Sequence, residues 1–243
     1  MKKIISIITA TFNAESALPG LIESLRKQDS ELFEWVVVDG ASNDGTLDLL
    51  RSATGLDIKI SSSPDFGVYD AINKGVRNAS GDYYIVAGAD DRFAEEAIAK
   101  YVEVIRSDGA DLVSANIHSG GRLLTPGRGL PWFRGQNAYI SNHSIGVAIK
   151  RSLHDRYGLY SNKFPIAADH LFIKRVCGKA ERNIISNGKF IAGEFGDKGV
   201  SSSDVAGLLT EFFRVQLLTE KWKSVQVAIF LVRLMNNLAK IGK

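Results

Sequence analysis

The chain reads as an α/β protein with a mostly parallel sheet flanked by helices and a C-terminal helical appendage. Three observations predict this. Apolar, β-branched runs alternate with helical periodicity through the first 107 residues, the pattern of a parallel sheet covered on both faces. The 243 residues, 45% hydrophobic and 23% charged, can bury a sizeable core and are too ordinary in composition for disorder. From Val205 onward the alternation gives way to two apolar helical segments.

Lys3 to Thr9 is a continuous apolar run and forms the first strand. Leu18, Leu21, Ile22 and Leu25 follow at helical spacing, with Pro19 in the first turn. Trp35 to Val38 is the second strand, and Asp44 is placed to cap the helix that starts near Leu47. Asp57 to Ile60 and Tyr83 to Val86 are the third and fourth strands, separated by a helix over Tyr69 to Asn78. A helix over Phe93 to Ile105 completes the first half. Beyond Asp108 strands are expected at Leu112 to Ile117, Ile145 to Ile149 and Asn183 to Ile191, and a helix at Ala167 to Val176. Gly120 to Gly135 and Gly193 to Ser203 read as loops, and helices over Val205 to Thr219 and Ser224 to Lys240 close the chain. The expected division is 1–203 for the α/β domain, with halves of about 1–107 and 108–203, and 204–243 for the helical pair.

A net charge of +3 is too small to point to nucleic acid, and none is expected as a partner. The single cysteine, Cys177, excludes internal disulfides and fits a reducing compartment. The start, Met1-Lys2-Lys3 before Ile4 to Ala10, imitates a signal peptide, but its apolar run is short and Asn13 and Glu15 follow where small neutral residues belong. No glycine fingerprint follows the first strand, no phosphate loop occurs and no His/Cys cluster has zinc spacing.

The stretch Gly81 to Phe93 carries the chemistry. Its strand runs into Ala87-Gly88-Ala89 and stops at Asp90-Asp91, at the carboxyl end where open α/β sheets bind ligands. Two adjacent carboxylates resist joint ionisation unless a cation joins them, and oxygen-only ligands suit Mg²⁺ or Mn²⁺ completed by substrate phosphates. The plainer alternative is a polar turn that caps the next helix.

Four segments in order resemble family 2 glycosyltransferases of the GT-A fold, in particular bacterial enzymes that build surface polysaccharides. They are Ile7 to Asn13, Val37 to Thr46, Gly67 to Gly75 and Gly88 to Asp91, with a weaker fifth at Ile166 to His170. The resemblance implies an inverting, metal-dependent transferase that moves a hexosyl or N-acetylhexosaminyl group from a nucleotide sugar, in the first place a UDP-sugar, to a polysaccharide or lipid-linked oligosaccharide. It makes Asp91 the metal ligand, for Mg²⁺ or Mn²⁺, and places Asp90 near the donor ribose. It assigns Asp39 to the base, Thr9 and Thr11 to the nucleotide, and Asn73 with Lys74 to the donor. Many relatives carry Arg next to the Asn of the third segment, where this chain has Ile72-Asn73-Lys74, so the cation for the diphosphate is Lys74, a loop residue such as Arg122 or Arg128, or the metal alone. Asp169 resembles the base, at a helix N-terminus that favours its ionised form. His143 and Trp132 are expected at the acceptor, with Phe133 beside Trp132, and Gly199-Val200-Ser201 resembles a loop that closes over the donor.

Val225 to Leu238 is apolar with lysines around it, so an anionic membrane surface and a second copy are both candidate partners for the C-terminal helices. The expected location is cytoplasmic, peripheral at the inner face of the membrane if those helices bind there. The other enzyme class considered is a sugar-nucleotide nucleotidyltransferase, which needs a basic, Gly-rich loop that Thr9 to Asn13 lacks. A non-catalytic nucleotide-sugar-binding module is the non-enzyme alternative.

Overall fold

β1 (Ile5–Thr11) lies near the middle of the sheet, and its side chains alternate between the two faces. Ile5 and Ile7 join one core with Phe33, Trp35 and Val37, whereas Ile8 joins a second core with Val36 and Tyr84. That period-two partition produces a sheet buried on both sides. The computed structural model describes residues 3–127, 129–141, 143–178, 185–196 and 204–241. Arg128 and Gly199-Val200-Ser201 lie outside the described residues.

β2 (Phe33–Asp39) and β4 (Tyr83–Val86) flank β1, and β3 (Ile58–Ser62) is outside β2, all parallel. The order continues through β8 (Val147–Lys150), β6 (Leu112–Ser119), β9 (Ile185–Phe195) and β5 (Arg92–Phe93). β8 is antiparallel to both neighbours, and β6 pairs parallel with β9. α1 (Leu18–Arg26) and α4 (Ala97–Asp108) contribute to the first core, and α3 (Val68–Asn78) and α7 (Ala168–Gly178) to the second. α3 sits close on β1 because Gly75 has no side chain; a Cβ there would lie 2.4 Å from Ile8 Cγ2.

Several boundaries differ from the sequence reading. β1 runs to Thr11, which brings that threonine into the ladder opposite Asp39. The residues after Asp91 form β5 rather than a helix, because Arg92 and Phe93 pair with Glu194 and Gly193 of a longer β9. Neither aspartate caps α4, whose N-cap is Glu96 in the left-handed region. The loop expected over Gly120 to Gly135 holds β7 (Arg122–Leu124), a hairpin partner of β6, and the short α5 (Pro131–Arg134). Gly120 and Gly121, at φ 53° and 72°, supply the two left-handed residues that a tight hairpin turn requires.

α2 (Thr46–Arg51) and α6 (Leu153–Tyr157) are short connectors. The closing pair, α8 (Val205–Thr219) and α9 (Lys223–Asn237), is tied to the sheet domain through polar contacts. Glu211 of α8 accepts from the amides of Ile166 and Ala167, just ahead of α7, at 3.0 and 2.8 Å. Gln216 and Gln226 both donate to the Trp132 carbonyl, at 2.7 and 2.9 Å. Among the described residues no helix is long and apolar enough to cross a membrane.

Glu34 staples the sheet. Only 1% exposed, it accepts from Ser6 Oγ (2.6 Å), Ser80 N (2.6 Å) and Ser80 Oγ (2.8 Å), and it pairs with Lys59 Nζ at 2.6 Å. Burial pushes its carboxyl up, but Lys59, Ser6 and Ser80 outweigh burial and hold it at about 2, below the ordinary 4.5. With the folded value below the unfolded one, its contribution is present above about pH 4.5 and fades as pH falls towards 2. Glu34→Gln is therefore expected to cost about 2–3 kcal/mol near neutrality. In denaturant titrations the gap from the parent should shrink on acidification.

Candidate active site

A cavity of about 1190 Å³ opens at the carboxyl end of β4, lined there by Val86, Ala87, Gly88 and Asp90. The chain turns sharply after β4, and the two aspartates part company. Asp90 is half-buried and lines the cavity. Asp91 is fully buried beneath it, its Oδ2 accepting from Gly88 N at 2.7 Å and its Oδ1 from Gly196 N at 2.9 Å. Burial raises the Asp91 carboxyl to about 7, with the two amides pulling the other way and Asp90 adding to the rise. Asp91 thus stands enclosed rather than on the cavity wall. One backbone amide meets each of its oxygens, which leaves a lone pair on each for a cation, and Asp90 is the one on the cavity wall.

Asp169 reaches the same cavity from the first turn of α7. Its Oδ1 accepts from the Tyr69 hydroxyl at 2.6 Å, and its Oδ2 lies 3.5 Å from Gln136 Nε2. Enclosure raises its carboxyl above the ordinary value, against the lowering effect of the Tyr69 hydroxyl, the local backbone and Gln136. The helix terminus therefore does not dominate, and desolvation makes this a stronger base than an exposed aspartate.

His143 lines the cavity with its ring stacked on Phe195, centroids 3.7 Å apart. Burial pushes its imidazole down to about 4, so it is neutral at physiological pH. His170, unassigned by sequence, also lines the cavity and accepts from Gln136 N at 3.2 Å. Gly135, at φ 63°, allows this approach, since a Cβ there would stand 2.4 Å from His170 Nε2. Trp132 is not on the wall. Its carbonyl is taken by Gln216 and Gln226, and its neighbour Phe133 lines the cavity instead, with Phe212 and Arg233 from the C-terminal helices.

The residues assigned to the nucleotide behave differently. Thr9 is buried and accepts from Trp35 Nε1 at 3.0 Å, so it faces the core rather than a ligand. Thr11 donates to Asp39 Oδ1 at 3.0 Å. Asp39, fully buried, also accepts from Ser42 Oγ (2.5 Å), Ser42 N (2.9 Å) and Ser62 Oγ (2.7 Å). Burial opposes its ionisation, but these donors prevail and its carboxyl stays below the ordinary range. Its role in this arrangement is to lock the tips of β1, β2 and β3 together. Asn73 is spent on the Tyr160 backbone, donating at 2.8 Å and accepting at 3.0 Å. Lys74 pairs with Asp70 at 3.1 Å and donates to the Pro64 carbonyl at 3.2 Å. Neither lines the cavity, where the cations among the described residues are Arg134 and Arg233. Arg122 sits on the exposed hairpin.

Asp90 and Asp169 line one cavity, and the family to which the chain belongs follows from comparison with known proteins. The family described as Glycosyl transferase family 2 matches residues 6–172. The chain belongs to that family. A PGL/p-HBAD biosynthesis glycosyltransferase of Mycobacterium bovis is 37% identical over 117 residues, 46% of this chain and 46% of that relative. The aligned region therefore spans about half the length of that curated relative. Among solved structures, S. aureus TarS 1-349 in complex with UDP-GlcNAc aligns over 99% of this chain and 76% of that one, with TM-score 0.69 and 21% identity. The mannosyltransferase PcManGT from Pyrobaculum calidifontis, in complex with GDP-Man and Mn2+, aligns over 98% and 76%, with TM-score 0.67 and 16% identity. At those identities the likeness establishes the GT-A fold for this family 2 member.

Sequence reasoning missed Tyr69, Gln136, Phe212 and Arg233. Tyr69 had a signal, since it stands inside the Gly67 to Gly75 motif. The other three come from a short 3-10 turn and the C-terminal helices, where no local pattern marks a cavity wall.

Proposed function

We propose that the protein transfers a sugar from a UDP-sugar to a hydroxyl of a glycan or lipid-linked oligosaccharide, with inversion at the anomeric carbon. The observation that carries this is the pair Asp90 and Asp169, brought to one cavity from segments far apart in the sequence, with Asp169 enclosed and held by Tyr69.

Asp169 takes the proton from the acceptor hydroxyl. Attack from the face opposite the leaving nucleotide inverts the centre through an oxocarbenium-like state. Tyr69 aims the carboxylate, and His143 and Phe133 supply ring surface against which a sugar can pack. The base of the nucleotide lies over the tips of β1 and β2, where Phe12 is 67% exposed beside Gly40. Asp39 shapes that floor through its four donors rather than by touching the base.

The family implies a divalent ion, and the donor set fits one. Mg²⁺ and Mn²⁺ need only one or two carboxylates when a diphosphate and water supply the remaining oxygens. Asp90 on the wall is the residue that would hold it, with Asp91 beneath setting the turn. Such an ion, when bound, neutralises the charge growing on the departing diphosphate.

The test is a thermal-shift panel of UDP-, GDP- and dTDP-sugars with Mn²⁺. A ligand present at about 100 times its Kd stabilises by about 2.7 kcal/mol, a rise of roughly 5–10 °C for a chain of this size. A UDP-sugar is expected to give the largest rise. A flat response to every nucleotide sugar would remove the reading.

A further inference from the structure

α9 is apolar on two sides, and only one of them is covered. Its inner side packs into the protein: Phe230 stacks on Phe213 with centroids 4.5 Å apart, and Arg233 lies over the rings of Phe212 and Phe133. Its outer side carries Val227, Leu231, Val232, Met235 and Leu238 at helical spacing, uninterrupted by charge. Leu218 and Trp222, just ahead of the helix in the sequence, are exposed as well. These seven are more than half of the thirteen large hydrophobic side chains exposed among the described residues, so exposed apolar side chains concentrate in this one segment of the chain.

The sequence of this segment carries charge of one sign. From Lys221 to Lys243 the sequence contains Lys221, Lys223, Arg233, Lys240 and Lys243 and no acidic residue. The acids that precede it are engaged elsewhere. Asp204 caps α8, Glu211 holds the amides ahead of α7, and Glu220 pairs with Lys174. Two copies meeting through this face would set two basic segments against each other. A surface rich in anionic headgroups complements both the apolar side chains and the basic composition of this segment.

We infer that the outer face of α9, with Trp222 and Leu218, docks on an anionic lipid bilayer, lying in the headgroup plane. The helix is too short to span. The same helix lines the cavity through Arg233 on its inner side, so docking holds the acceptor end of the cavity against the membrane. The surface stands on its own, independent of which sugar is moved.

The experiment is co-sedimentation of the full chain with extruded vesicles of phosphatidylcholine alone and of phosphatidylcholine with about one third phosphatidylglycerol. The parent and the double variant L231E/M235E are compared. Both substituted side chains are exposed, and an unchanged melting temperature confirms that the variant is folded. Binding to the anionic vesicles is expected to exceed binding to the neutral ones at least about tenfold, to weaken with salt, and to fall about tenfold or more in the variant. Equal binding to both vesicle types overturns the anionic assignment. Absence of binding, or a dimer in light scattering that the variant dissociates while vesicle binding is nil, overturns the proposal in favour of another occupant. A failed nucleotide-sugar panel leaves these readouts untouched.

Discussion

Asp169→Asn is expected to lower transfer by roughly 10²–10⁴-fold, the range that a positioned general base contributes, while the melting-temperature rise on adding nucleotide sugar is retained. The substitution keeps the volume and the contact with Tyr69 but removes the proton acceptor. Single-turnover measurement of sugar transfer, alongside the thermal shift, separates the two effects. If the variant turns over at the parental rate, the base lies elsewhere. Tyr69→Phe supplies the companion test. Its hydroxyl lies 2.6 Å from Asp169 Oδ1 and lowers the carboxyl, against the upward push of burial. Removing it raises the base further, so the acidic limb of the pH–rate profile should move to higher pH. A purely structural tyrosine would lower the rate without moving the limb.

Asp90→Asn should abolish the Mn²⁺-dependent part of nucleotide binding and reduce transfer at least about 10²-fold, since charge stabilisation at the leaving group is lost. The readout is the melting shift given by UDP with and without Mn²⁺. Asp91→Asn provides the contrast. Its oxygens accept from Gly88 N and Gly196 N, so an amide there leaves one buried donor unmatched at a cost of about 1–3 kcal/mol. Asp91 is raised from 3.8 to about 7 chiefly by burial. The folded state therefore holds a proton that the unfolded state has released, and stability falls as pH rises through that window. In metal-free protein Asp91→Asn should flatten this part of the pH dependence, whereas Asp90→Asn should leave its sign unchanged. A full Mn²⁺ response in Asp90→Asn together with its loss in Asp91→Asn would return the ligand role to the buried residue.

Much of the fold was legible because parallel strands carry their own signal. The runs read as Lys3 to Thr9, Trp35 to Val38 and Tyr83 to Val86 are continuous and largely apolar, as strands buried on both faces are, and each overlaps an observed strand. β5 and β7 were not legible. A two-residue strand and a three-residue strand have no periodicity, and they exist only because β9 and β6 offer free edges.

The site followed the same division. The residue types and their order, Asp39, Asp90-Asp91 and Asp169, were readable from the chain because the chemistry demands carboxylates at strand and helix ends. Their orientation was not. Asp39, Thr9, Asn73 and Lys74 all sit in matching motifs, yet each spends its polar atoms on the protein: on Ser42 and Ser62, on Trp35, on Tyr160, and on Asp70 with Pro64. A motif records that a position matters, and positions that hold a loop matter as much as positions that touch a ligand.

By itself, then, the sequence determined the α/β class, the family and the carboxylates that stand at strand and helix ends, since these rest on local periodicity and contiguous motifs. Only the tertiary structure decided which aspartate of the pair lines the cavity, which hydroxyl holds Asp169, and that Phe212 and Arg233 close the far wall. Those outcomes depend on hydrogen-bond partners separated by tens of residues in the chain, and which donors reach a carboxylate is settled by packing rather than by its neighbours in sequence.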